Sequence, residues 1–227
     1  MGTSKGYIAP TRIQWTQAKR AVTQMLYDRD SISRAKVGSK FATAMQADTT
    51  SNGAFSRAAS GIISFSKNVA NHGTAYALKQ INRSDLIGRP PAEIWDELFH
   101  EYTNNGSSVE DSLAADALSK AIANLNITDL DQLGSVSPEI LLKEMLIDYI
   151  VVSFNFRFSE RIEKSKAPEE AHRILEEMQE YIKSSLYENL SFSDIEQINF
   201  SNLSGNEYVD KALNDAYTVF EELYTEE

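Results

Sequence analysis

The sequence predicts an all-α protein, an irregular multi-helix bundle with a flexible N-terminal tail, and three observations carry that expectation. Apolar residues recur at three- and four-residue spacing through most of the chain, as a helix with one buried face requires. Five prolines and ten glycines in 227 residues are few for an all-β protein of this size, which needs many tight turns. Helix-start signals stand ahead of the apolar runs, the clearest being Ser137-Pro138-Glu139, with a capping side chain, a proline and an acid against the helix dipole.

The elements follow in order. Trp15, Ala18, Val22 and Met25 with Leu26 give a first helix over about 11–28. A second, over about 31–48, carries Ala35, Phe41, Ala42 and Met45 and stops at Thr49-Thr50-Ser51-Asn52-Gly53. A third, over about 54–71, carries Phe55, Ala58, Ala59, Ile62 and Phe65, and a shorter piece follows Gly73. Pro91 opens a helix with Ile94, Trp95, Leu98, Phe99 and Tyr102 on its apolar side, ended by Asn104-Asn105-Gly106. After a helix over about 109–125 comes a polar connector, 126–137. Residues 140–158 are apolar nearly all round, which predicts the buried central helix of the C-terminal half. A pair of buried strands competes there, because Val151, Val152, Phe154, Phe156 and Phe158 suit a strand, but helix is favoured. Pro168-Glu169-Glu170 starts another helix, with Ile174, Met178, Ile182 and Leu186 on one side, and a last one covers about 206–224. No fixed-period repeat occurs, which argues against a solenoid.

These elements divide into a tail over 1–11, a basic-to-mixed helical region over 12–126 and an acidic helical region over 137–227 packed on it. Charge is uneven. Up to Arg83 there are twelve basic residues and three acidic ones, a balance of +9 that leaves −20 on the remainder of a chain whose net charge is −11. The two parts should attract each other, and the basic one suits an acidic partner or nucleic acid. A pI near 4.8 and the lack of any nucleic-acid motif oppose the latter. With no cysteine, disulfide and thiolate chemistry are excluded. No apolar run is long enough to span a bilayer and no apolar stretch follows Lys5, so a soluble cytoplasmic protein without membrane contact is expected.

Sites for enzyme chemistry are incomplete. Glu97 with His100 and Glu169 with His172 have the spacing of di-iron bundles, but no Glu precedes Glu93 to complete the ligand set, and Glu169 has a simpler role in the first turn after Pro168. His72 beside Gly73 reads as a helix-end residue. Gly38-Ser39-Lys40 has the end of a phosphate-binding loop, yet Ser33 stands where its first glycine belongs. A nucleotidyltransferase reading from Gly38-Ser39 finds only Asp48, and one carboxylate cannot arrange two metals. There is no Gly-x-Ser-x-Gly elbow. The expectation is a protein that is not an enzyme and holds no metal or cofactor.

The opening ten residues, Met1-Gly2-Thr3-Ser4-Lys5-Gly6-Tyr7-Ile8-Ala9-Pro10, are too small, polar and turn-prone to build a fold. A floppy terminus is their ordinary reading. Fully extended, residues 2–10 reach roughly 30 Å at ~3.3–3.6 Å per residue, deep enough to enter another protein's active site. The small second residue favours removal of Met1, so the mature chain is expected to begin at Gly2. A free α-amine titrates at ~7.7–8.0 against ~10.4 for lysine, which makes the terminus the best amine nucleophile near neutral pH. Myristoylation wants Ser or Thr where this chain has Gly6.

Met1-Gly2-Thr3-Ser4 followed by Tyr7, Pro10 and a Trp15-bearing helix resembles the QatB family of the four-gene Qat anti-phage system. Lys40-Phe41-Ala42 with Ala44, Leu86-Ile87-Gly88 before Pro90-Pro91, and the apolar helix running into Glu160-Arg161-Ile162 are also similar to that family, so the likeness is spread over the chain rather than held in one motif. The resemblance implies neighbours in the system: an ATPase, an enzyme similar to the deazaguanine synthase QueC, and a TatD-like nuclease. QueC-like enzymes use ATP to activate the carboxylate of 7-carboxy-7-deazaguanine and pass the acyl group to an amine. The resemblance thus implies Gly2 as the acceptor, with Thr3, Ser4, Tyr7 and Pro10 met by the enzyme channel. The alternative is a helical nucleic-acid-binding or scaffolding subunit of a complex containing the ATPase and the nuclease.

Overall fold

The computed structural model describes residues 13–28, 30–48 and 52–224, and among them the chain forms ten α-helices and no strand. They are α1 (Ile13–Met25), α2 (Ser31–Ala47), α3 (Asn52–His72), α4 (Thr74–Gln80), α5 (Pro91–Tyr102), α6 (Val109–Asn124), α7 (Leu130–Leu133), α8 (Pro138–Glu163), α9 (Pro168–Asn189) and α10 (Leu203–Glu222). Prolines occupy the first turns of α5, α8 and α9, where a missing N–H costs nothing. Side chains cap several of the starts. Asp30 accepts from the Ser33 N–H at 2.6 Å, Ser108 and Asp111 form a reciprocal capping box, and Ser137 accepts from the Ile140 N–H at 3.3 Å.

The apolar run after Ser137 is one continuous helix, and α8 is the axis of the bundle. Ten consecutive residues, Met145–Phe154, are buried, so neighbours surround this stretch on every side. Those neighbours are α6 and α9, with α3, α1 and α10 completing the ring. The β-branched residues Ile150, Val151 and Val152 have a modest helix propensity, and burial on all sides overrides it. No strand pair forms because the helix already satisfies every backbone group in a place that water does not reach.

Aromatic rings close the end of the bundle where α1 arrives. The Phe41 ring of α2 lies 6.3 Å from Trp15 of α1, 5.5 Å from Phe154 and 6.0 Å from Phe158 of α8, and 6.4 Å from Tyr217 of α10. Interplanar angles of 61–90° set all four pairs edge to face, which matches positive ring edges to negative faces.

Two element boundaries differ from the sequence expectation. The stretch 126–137 contains α7, because Asp129 and Gln132 cap one helical turn and its two leucines, Leu130 and Leu133, are buried. Ser66 of α3 donates to the Leu133 carbonyl at 2.9 Å, tying this turn to α3. Helix α10 starts at Leu203 rather than near 206, since Asn202 accepts from the Ser204 N–H at 3.1 Å. A single cluster of buried side chains runs through residues before and after α7.

Gly134 marks the closest approach of α7 to α3: a Cβ there would lie 2.8 Å from the Ala70 nitrogen and 3.0 Å from its Cα. Backbone cannot yield as a side-chain tip does. Gly134→Ala is therefore expected to cost about 1–3 kcal/mol by overpacking and to lower Tm by about 3–10 °C. Gly53→Ala, in a helix with nothing within 4 Å of the new Cβ, should leave Tm level or slightly raised. Thermal denaturation followed by circular dichroism checks both.

Candidate functional site

Gly2, Thr3, Ser4, Tyr7 and Pro10 lie outside the described residues, which begin at Ile13. What the structure does describe is the place where that segment joins the bundle. Trp15, 1% exposed, is driven into the aromatic cluster by the apolar face of α1. The next turn of α1 brings Lys19 to the rim of a groove of about 490 Å³, whose other wall is Phe156, Arg157, Glu160, Arg161 and Lys164 from the end of α8.

The groove is built by interlocking contacts. The Arg157 guanidinium carbon sits 5.0 Å from the Trp15 ring centroid and 5.5 Å from that of Phe156, a cation held between two aromatic faces. Burial pulls its pKa down from the ordinary arginine value, against the opposing pull of the Tyr217 phenol, and a guanidinium starts so high that it stays charged. Arg161 Nε donates to Thr23 Oγ1 at 3.0 Å, and the same hydroxyl donates to the Lys19 carbonyl at 2.9 Å, so α8 is pinned to α1. Lys164 pairs with Glu160 one turn earlier. Among the described residues four cations and one carboxylate line this groove, and Lys164 is paired with that carboxylate, in a chain whose net charge is −11. Such a surface attracts anions and acidic protein faces.

Sequence motifs for other chemistry are absorbed structurally. Glu97 accepts from Arg83 Nη2 at 2.7 Å, and His172 Nε2 lies 3.1 Å from Glu176 Oε1. Among the described residues no group of three or more His, Asp or Glu side chains is arranged to hold a metal ion. Gly38-Ser39-Lys40 lies inside α2, where a Cβ on Gly38 would meet the Phe220 ring at 3.1 Å and that of Tyr181 at 3.3 Å. It is a helix-packing position. No helix among the described residues is long and apolar enough to cross a membrane.

One cluster was not singled out in the sequence. Glu144 and Asp148, one turn apart on α8, point toward α6 and α9: Asn124 Nδ2 donates to Asp148 at 2.9 Å, and the Tyr187 hydroxyl donates to Glu144. Burial, opposed by Lys183 and reinforced by Glu144, pushes the Asp148 carboxyl up to about 6. The signal for it was two acids at a four-residue spacing inside an otherwise apolar run.

Residues 44–220 match the family model described as QatB, Qat anti-phage system associated protein QatB. The match opens in α2 and covers most of the chain, with the leading segment and α1 ahead of it. No curated protein and no solved structure matches.

The Asp148 cluster has a consequence for stability. Its folded pKa is raised above the unfolded value of 3.8, so ionisation opposes folding: the contribution of this group to stability is greatest below about pH 4, falls as pH rises toward 6, and stays lower above that. Asp148→Asn keeps an acceptor for Asn124 and removes the titration. At pH 7 the variant should be more stable than the parent by about 2–3 kcal/mol, with the difference vanishing near pH 4. Urea unfolding at the two pH values measures it.

Proposed function

The chain belongs to the QatB family of the Qat anti-phage system, and on that footing we propose that it is a non-catalytic defence protein that binds the system's QueC-like ATP-dependent enzyme and presents Gly2, once Met1 is removed, for conjugation to a 7-deazaguanine group. The observation that carries the reading is the leading sequence itself: a glycine at the head of the nine-residue segment Gly2–Pro10, ahead of a helix that the Trp15 cluster holds fast.

The chemistry is acyl transfer. The enzyme activates the deazaguanine carboxylate with ATP, the neutral Gly2 nitrogen attacks the activated carbonyl, an amide bond forms, the bond to the activating group breaks, and the nitrogen loses a proton. At pH 7 an α-amine has a few hundred-fold more free base than a lysine amine, which selects the terminus over Lys5. Glycine has no Cβ to obstruct a narrow channel. Thr3, Ser4 and Tyr7 offer that channel hydroxyls and an aromatic face, and Pro10 resists helix, so the segment enters extended.

Co-expression with the QueC-like gene followed by intact-mass measurement tests the reading. The wild-type chain should gain the mass of one deazaguanine acyl group, and Gly2→Leu should gain none while its Tm stays within about 1 °C of wild type, the small effect usual for a single change near a chain terminus. Tyr7→Ala should raise KM for conjugation several-fold without moving Tm. Modification of Gly2→Leu to the wild-type extent would rule out the terminal glycine as acceptor.

A further inference from the structure

We infer that the polar pocket between α3, the end of α4 and the start of α10 binds an uncharged adenine nucleoside, a role separate from anything the leading segment does. The pocket has a volume of about 620 Å³, within the range of small-molecule sites. One face of α3 lines it, with Arg57, Ser60, Gly61, Ser64 and Asn68 following at three- and four-residue spacing. Gly61 admits Tyr102 of α5 against this face, since a Cβ there would overlap the Tyr102 ring. The opposite wall is the chain entering α10. The Ser64 and Ser201 hydroxyls are hydrogen-bonded at 2.7 Å, Asn202 accepts from the Ser204 N–H at 3.1 Å, and a Cβ on Gly205 would lie 2.6 Å from the Phe200 Cα. These contacts fix the wall in advance, so little ordering is left for a ligand to impose.

The lining chooses the ligand by what it offers. Among the described lining residues there is no carboxylate, in a chain with 33 acidic residues. A sugar would thus lack the acceptors that take its paired hydroxyls. The lining cation, Arg57, is already neutralised by Asp111 at 2.7 Å, and Lys67 beside the pocket donates to the Glu196 and Ile198 carbonyls at 3.0 and 3.1 Å. A phosphate would therefore find no unclaimed positive charge, and an uncharged ligand is favoured. Carboxamides supply the recognition. The side chains of Asn68, Gln80 and Asn206 line the pocket and hydrogen-bond no other described residue. Each sets a donor beside an acceptor, the pairing that meets N6 and N7 of adenine at once. Ile81, Tyr102 and the exposed Leu203 add apolar surface against which a flat ring can lie. Ser60 gives independent support: it is 2% exposed, lines the same pocket, and its hydroxyl has no hydrogen-bond partner. A buried donor left unpaired calls for an acceptor, and a ligand seated here supplies one.

Equilibrium dialysis of the full-length chain against adenosine, guanosine, 5′-AMP and glucose tests the assignment. Adenosine should bind one molecule per chain and guanosine at least about fivefold more weakly, the discrimination of a good bidentate contact. The phosphate of 5′-AMP should add no affinity. Asn68→Ala with Asn206→Ala should weaken adenosine binding at least about tenfold, as loss of two such contacts requires, while Tm stays near wild type. If that pair fails to fold, Gln80→Ala, at an exposed position, takes its place. Ser60→Ala should also weaken binding yet leave Tm level or raised, because it removes a buried hydroxyl that has no partner. Absence of adenosine binding up to about 5 mM, equal affinity for guanosine, or wild-type affinity in the folded amide variants would overturn the site. Binding of 5′-AMP about tenfold tighter than adenosine assigns the pocket to an anion, and binding of glucose in place of adenosine assigns it to a sugar; either result defeats the proposal.

Discussion

The meeting of Phe41 with Trp15, Phe154, Phe158 and Tyr217 is the contact on which the rest of the molecule depends. It joins α1, α2, α8 and α10 at one point, and each edge-to-face pair adds about 0.5–1.5 kcal/mol beyond the apolar area it buries. Its role differs from that of the buried stretch Met145–Ser153 earlier on α8, a helix whose main neighbours are α6 and α9. Helix α1 packs on α2 and touches α8, and Trp15 is the largest side chain it contributes. Where Trp15 sits therefore decides how α1 lies against α8 and how Lys19 comes to line one groove with Arg161 and Lys164.

Electrostatics plays a different part from packing. Between the basic first third and the acidic remainder the structure forms the Arg57–Asp111 and Arg83–Glu97 pairs, both at 2.7 Å, and a longer Arg34–Glu177 pair at 3.8 Å. Burial pushes Asp111 up, but the hydroxyls of Ser108 and Ser107 and the Arg57 guanidinium outweigh it and hold the carboxyl below its ordinary range. Exposed pairs are worth ~0–1 kcal/mol, so attraction between the two regions contributes little to stability beside the apolar core.

Helices were legible in the sequence wherever a 3.6-residue apolar period ran for three turns or more, as at Trp15–Met25 and Ile174–Leu186, and wherever a cap or proline stood at the start, as at Ser137 and Pro168. Helix α7 escaped because one turn is too short to show a period, and its capping acids made the stretch look like a connector. Asp148 escaped for the opposite reason: the apolar residues around it hid a buried carboxyl whose partner, Asn124, is 24 positions away. The groove could not be read at all, since α1 and the end of α8 are about 140 residues apart and nothing local says that Arg161 reaches Thr23. Its raw material, the acid-free run before Asp28, was plain. The proposed acceptor and reading residues, Gly2 to Pro10, were legible only as composition and family resemblance.

The most direct measurement is a structure of the chain bound to the QueC-like enzyme with a non-reactive analogue of the activated deazaguanine. The account expects the Gly2 nitrogen about 3–3.5 Å from the carbonyl carbon that would accept it, the approach distance of a productive acyl transfer. A complex in which Gly2 lies away from the enzyme's active site would contradict it.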